Sequence, residues 1–236
     1  MFVMFSLAHL AALAAAVVLI AALLLGRRLL RKERANRAAK FMLATLLIGC
    51  EVSLHVWYAR TDNWGVHSLP FQLCSITVWL SAAVMLLGSR GRKLHDIVFF
   101  LGLLGAMQAM LTPNLDYTFP HFRYYHFFIA HIGIIAVGVF IVAVERYRPT
   151  LRSAGKALLW LHVLAIPGAI ANWITGSNFM FLARKPDTAS LLDLLAPWPW
   201  YLLQLEAIAA LLCLLLLGFV RATELALGGK RRGRTP

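Results

Sequence analysis

Charge is scarce in this sequence. Asp, Glu, Lys and Arg make up only 14% of its 236 residues, and just ten of them are acidic, whereas soluble domains approach a quarter charged. No hydrophilic stretch exceeds about two dozen residues, too few for an extramembrane domain with a core of its own. Cysteine is equally sparse. Cys50, Cys74 and Cys213 are an odd set with no C-x-x-C pair, which excludes a disulfide framework and any zinc site recognisable by spacing. Also absent are a Walker or dinucleotide glycine pattern, an H-E-x-x-H, an internal repeat and a low-complexity tract, so soluble cofactor chemistry is excluded and no cofactor or metal is expected. What fills the chain is apolar: 61% hydrophobic residues at a mean hydropathy of +0.74.

Seven apolar runs read as transmembrane helices, each near the ~20 residues a bilayer requires: Phe2 to Gly26, Phe41 to Arg60, Pro70 to Gly88, Ile97 to Thr112, Arg123 to Val144, Ala157 to Thr175 and Trp198 to Val220. The fold class expected is therefore an all-α polytopic bundle, one seven-helix domain over residues 1–236 with a basic tail over 221–236. Met1 to Leu25 carries no charge and its arginines follow it, the reverse of a signal peptide, so this run is expected to be a span.

The net charge of +13 invites a nucleic-acid partner, but its placement points elsewhere. Basic residues number seven in Arg27 to Lys40, three in Ser89 to Asp96, four in Glu145 to Lys156 and five after Val220, nineteen of the 23 in all, and these stretches lie on alternate sides. The positive-inside bias then puts the N-terminus outside and the C-terminus in the cytoplasm of a multi-pass cell-membrane protein. No aromatics interleave the tail KRRGR, so membrane lipids, not nucleic acid, are the expected partners. Trp64, Trp198, Trp200 and Tyr201 read as an interfacial aromatic belt, and Pro197 and Pro199 as a helix start.

Polar groups within the spans carry the functional information, because each costs free energy in hydrocarbon unless paired, hydrated or working. Cys74, Gln204, His126, His55, Glu206, His9, His131 and Glu51 all fall about 5 to 14 Å from the outer ends at ~1.5 Å per residue. The inner half offers chiefly His162, read as a helix-helix contact, and Cys213. One polar region opening toward the outer leaflet is expected, not a polar path across the membrane. Glu51 and His55, four apart, share a helix stripe and can hydrogen-bond; Cys74, Thr77 and Ser81 share another. His126 and His131 lie about 140° apart around their helix, so one cleft takes only one of them fully.

A cysteine attacks carbonyl carbon as the thiolate and needs a nearby imidazole to take its proton. Cys74 and His131 fit those roles, Glu51 can orient an imidazole, and Gln72, Thr77 and Asn178 can donate to an oxyanion. His55 and His126 complete the polar set. This sketches acyl transfer or hydrolysis on a lipid ester. The alternative is a transporter or binding protein in which Glu51, His55 and His131 hold a solute, proton or metal without covalent chemistry; the plainest is an accessory subunit whose polar groups join helices.

The segments HSLPFQLCS at 67–75, YYHFFIAH at 124–131, GSNFMFLARKP at 176–186 and PWPWY at 197–201 resemble the YwaF-like family of bacterial integral membrane proteins, over most of the chain beyond residue 50. That family is in turn similar to a vertebrate membrane acyltransferase group that places acyl chains in ether phospholipids through one cysteine and one histidine. The resemblance assigns the cysteine to Cys74 and the histidine to His131. A more distant similarity is to fatty-acid ester hydrolases with a threonine nucleophile.

Overall fold

Capping chemistry sets where the helices begin. Ser6 opens α1 (Leu7–Leu30) by accepting a hydrogen bond from the His9 amide, and Thr150 with Ser153 forms a reciprocal capping box at the start of α6 (Leu151–Thr175), each satisfying amides that have no intrahelical partner. In the computed structural model, which describes residues 2–187 and 190–232 with the side chains of 226–232 excepted, seven helices are long and apolar enough to cross a membrane. The others are α2 (Glu33–Arg60), α3 (Leu73–Leu86, after a 3-10 turn at Val66–Ser68), α4 (Arg90–Leu111), α5 (Phe122–Ala143) and α7 (Trp200–Arg232). No strand occurs among the described residues. The part of the expected basic tail at 233–236 lies outside the described residues; up to Arg232 it is helical.

Three boundaries differ from the sequence expectation. The basic stretch after Gly26 is not a loop: α1 runs on to Leu30, and only Arg31 and Lys32 separate it from α2. Arg, Lys, Glu and Ala favour helix, and Arg27 and Arg28 complement the negative end of the α1 dipole. The fourth span is longer than the apolar run suggests, because it begins with a 3-10 turn at Arg90–Leu94 and passes through a π segment at Val98–Gly102. The sixth starts six residues before Ala157, which puts His162 near its middle.

α5 is the hub, with 61% of its apolar window buried against 22% for α1 and α6 and 17% for α7. Without a hydrophobic drive between helices in lipid, close backbone approach must supply the packing. At Gly133 of α5 a Cβ would meet Leu47 Cδ2 of α2 at 2.8 Å, and at Gly102 of α4 it would meet Ile134 Cγ2 of α5 at 3.2 Å. His9 also serves the packing. It is fully buried, accepts from the Phe5 amide at Nδ1 and donates from Nε2 to the Met110 carbonyl at 2.8 Å, joining α1 to α4, while the Tyr124 hydroxyl joins α5 to α1 at the Ala8 carbonyl. The bundle has a basic end, carrying Arg31, Lys40 and Arg92, and an aromatic end, carrying Trp57, Trp64, Tyr117 and Trp198.

Candidate functional site

The third span opens with Pro70, Phe71 and Gln72, and the restriction that proline places on its neighbours delays the helix. Gln72 is the N-cap, and the first intrahelical bond runs from the Ile76 amide to the Gln72 carbonyl at 3.1 Å. Cys74 thus lies in the first turn of α3. The amides of Leu73, Cys74 and Ser75 have no helical acceptor there, and the helix dipole presents its positive end to the same place. Cys74 is half-buried, whereas Cys50 and Cys213 are buried. Its thiol makes no hydrogen bond among the described residues.

Around this turn the fold gathers polar groups from α2 and α5. Glu51 is 3% exposed, faces the Ser75 hydroxyl, and is within electrostatic range of Cys74, His55 and Arg123. Its Oε2 is buried without a hydrogen-bond partner, as is His126 Nε2, and His126 in turn is within electrostatic range of Arg123, His131 and His55. A buried polar atom without a partner is expensive, and such atoms mark places where a water, ion or ligand is to be held. The Arg123 guanidinium lies 5.7 Å from the Trp57 ring and 5.6 Å from that of Tyr58, closing the aromatic end of the cluster by cation-π contact.

His131 is 6% exposed, and its Nδ1 donates to the Phe127 carbonyl at 2.6 Å. That bond fixes the neutral tautomer with the lone pair on Nε2. Its depth matches that of Cys74: Thr77 Cβ and Ile134 Cγ2 both approach Gly102, at 3.7 and 3.2 Å from its Cβ position, and Cys74 and His131 each lie one turn nearer the aromatic end on those two helices. No hydrogen bond joins the thiol to the imidazole.

Several sequence expectations need correction. Glu51 and His55 share a stripe, but the His55 ring bonds the Glu51 backbone carbonyl at 2.8 Å, not its carboxylate, because a histidine four residues on folds back over its own helix. Thr77 is 1% exposed and its hydroxyl is spent on the Cys74 carbonyl at 3.1 Å. Asn178 is spent as well: Nδ2 donates to the Arg184 carbonyl, and Oδ1 accepts from the Ala183 and Arg184 amides. It closes the loop between α6 and α7. Gln72 accepts from the Met180 amide at Oε1, 3.0 Å away, which ties α3 to that loop and leaves its Nε2 donor uncommitted among the described residues. The loop needs such anchors, because Met180 and Phe181 hold φ of 53° and 54°, a region costly for side-chain-bearing residues; the Tyr201 hydroxyl donates to the Phe181 carbonyl. Tyr201 is fully buried and is no part of an interfacial belt, whereas Trp64, Trp198 and Trp200 are exposed. A polar cavity of about 250 Å³, lined by Gln72, Asn114, Asp116, Asn178 and Asp187 among others, opens beside this loop.

Sequence reasoning looked for oxyanion donors among side chains and missed the free backbone amides of α3; the legible signal was Pro70 four residues before Cys74. It also missed a second polar cluster at the basic end. There Lys40 pairs with Glu145, His95 Nε2 stands 3.4 Å from Glu145 Oε2, the Tyr147 hydroxyl donates to Asp96, and Lys156 lies 3.8 Å from Asp96. His162 makes the helix contact expected of it, 3.5 Å from Glu206 of α7, with side chains 62% and 41% exposed. Among the described residues no group of three or more His, Cys, Asp or Glu is placed to hold a metal ion, so Glu51, His55 and His131 do not form a first shell.

No curated protein and no solved structure matches the chain. The sequence profile described as the TMEM164 family matches residues 4–217, and this multi-pass membrane protein with seven apolar helices accordingly belongs to the TMEM164 family.

Proposed function

We propose that this protein transfers acyl groups between membrane lipids, with Cys74 as nucleophile and His131 as proton acceptor. One observation carries the reading: Cys74 lies in the first turn of α3 among amides that have no helical acceptor, beside a carboxyl group whose Oε2 is buried and unpartnered. The resemblance to the YwaF-like family and to the ether-phospholipid acyltransferase group points to the same two residues. In the first half-reaction the thiol gives its proton to His131 Nε2, sulfur bonds to the ester carbonyl carbon, and the carbonyl oxygen gathers negative charge facing the free amides. Collapse breaks the ester C–O bond, and the imidazolium returns the proton to the departing alkoxide. A second lipid hydroxyl reverses the sequence, giving its proton to His131 and taking the acyl group from sulfur. Direct contact between thiol and imidazole is made in the substrate complex, as apo sites commonly tighten on binding.

The reading includes one seven-helix unit over residues 1–236, with the basic end and the tail at 221–236 in the cytoplasm and the aromatic end outside, as the distribution of Lys and Arg favours. Transport has less support, because Val98, Phe100, Ile134, Val137 and Phe140, all fully buried, separate the two polar clusters.

The test is acylation of the purified protein, reconstituted with a lipid carrying a tagged acyl chain. A hydroxylamine-sensitive tag on wild type and Cys50→Ala that is lost in Cys74→Ala is the expected result. Cys50 is the fitting control, since it too neighbours Glu51. Equal labelling of all three proteins overturns the proposal.

A further inference from the structure

Next to the polar cluster, where α2 meets α3, the bundle surface is indented. A groove of about 420 Å³ is lined by Val52, His55, Val56, Ala59 and Trp79. It opens laterally: Val52, Val56 and Trp79 are 50%, 48% and 41% exposed. Depth follows from the helical rise, with Ala59 about 2 Å and Val52 about 12 Å below the end of α2 at Arg60. The groove therefore lies within one leaflet, from the headgroup boundary into the upper acyl region.

Its chemistry is graded along that depth. Val52, Val56 and the Trp79 ring supply apolar walls. His55 is the single ionisable side chain of the lining, and its Nδ1 donates to the Glu51 carbonyl. Above it the Trp64 ring stands 5.8 Å from the His55 ring, and the exposed Arg60 ends the helix. Apolar walls, then one polar group, then an aromatic and a cation form the order that a glycerophospholipid presents from its tails upward.

We infer that the α2–α3 groove holds one acyl chain of a glycerophospholipid from the leaflet at the aromatic end, with the phosphate at Arg60 and the glycerol region at His55. The occupant follows from the setting: a lateral opening on a membrane-spanning bundle faces lipid chains. The inference rests on the acyl-transfer reading for its purpose, since His55 neighbours Glu51 and His126, but not for its geometry.

The test is photocrosslinking in nanodiscs of phosphatidylcholine doped with the same lipid carrying a diazirine midway along one acyl chain. Crosslinks are mapped by peptide mass spectrometry, alongside acylation of Cys74. Labelling is expected to concentrate on the segments holding Val52–Ala59 and Trp79. Val56→Trp is expected to lower it there about tenfold, the loss of contact with roughly two methylenes, with labelling of α1 and α7 unchanged. Ala59→Leu, a smaller obstruction at the mouth, is expected to act in the same direction and covers the case in which the tryptophan disturbs folding. Crosslinks spread evenly over the lipid-facing helices and indifferent to both substitutions overturn the groove. Groove labelling without acylation of Cys74 leaves the groove standing and rejects the acyl-transfer reading; acylation without groove labelling does the reverse.

Discussion

At the basic end, Lys40, Glu145 and His95 meet with side chains 18%, 14% and 5% exposed, and Asp96 is shared by Tyr147 and Lys156. At the aromatic end Glu51 is as deeply buried, yet one of its oxygens has no partner, and the same is true of His126 Nε2. Both ends carry ionisable groups at comparable cost in a low-dielectric surrounding. At the basic end the carboxylates are paired and the product is cohesion, although His95 Nε2, 3.4 Å from Glu145 Oε2, also lacks a hydrogen bond. At the other, polar capacity is left open within reach of a thiol. Neither buried charge nor an unpartnered buried atom identifies a functional site by itself; what sets the aromatic end apart is that its open polar atoms lie beside a thiol.

Substitutions at the two ends are expected to act differently. The largest effect on stability is expected at the basic end, where Glu145→Gln leaves the Lys40 ammonium without its anion and lowers stability by about 3 kcal/mol, measured by unfolding in mixed SDS micelles; a loss as small as that of a surface change would mean this end is not a staple. Gly133→Ala drives a Cβ to 2.8 Å from Leu47 Cδ2 and is expected to cost about 1 to 2 kcal/mol in the same assay, with Leu47→Ala in the same chain recovering part of it. Tyr147→Phe is expected to cost about 1 kcal/mol and to change the alkaline limb. Burial, and next to it the Asp96 carboxylate, hold the Tyr147 phenol above its ordinary value of 10.0. Its contribution is therefore complete below pH 10 and is lost as pH rises through the higher value of the folded protein. Thermal unfolding followed from pH 8 to 11 checks this: part of the wild-type decline disappears in Tyr147→Phe. The smallest stability effect is expected for Glu51→Gln, below about 0.5 kcal/mol, since it replaces a buried carboxylate that has an unpartnered oxygen. The same variant is expected to lose most acylation of Cys74. A stability loss equal to that of Glu145→Gln would erase the distinction between the two ends.

Much of the fold was legible because a bilayer imposes one period and one length on every crossing. All seven apolar runs became helices long enough to span. The errors fell where polar sequence continues a helix: Arg27–Leu30 and Glu33–Lys40 read as loop because they are charged, yet they extend α1 and α2. The π segment of α4 left no signal in the apolar periodicity; it ends at Gly102, which packs closely on Ile134 and Thr77. For the site, helix spacing located depth well and direction poorly. It put Glu51 and His55 on one stripe correctly, but the ring chose the backbone carbonyl over the carboxylate, a choice between two acceptors equally near in sequence. Asn178 reads as a donor to a reaction because amides are versatile; its partner, the Arg184 carbonyl, comes from the path of a loop that spacing does not predict.

Composition and periodicity fix that this chain lies in a membrane and how many times its apolar helices can cross, because hydrocarbon penalises each exposed charge and backbone group independently of the fold. Which polar groups are satisfied depends on how the helices pack. His9 and His131 look alike in sequence, each an imidazole among apolar neighbours; one is tied at both nitrogens and the other at Nδ1 alone. The difference arises because a hydrogen bond is directional and short, so a group's fate depends on what the neighbouring helix places within about 3 Å of it.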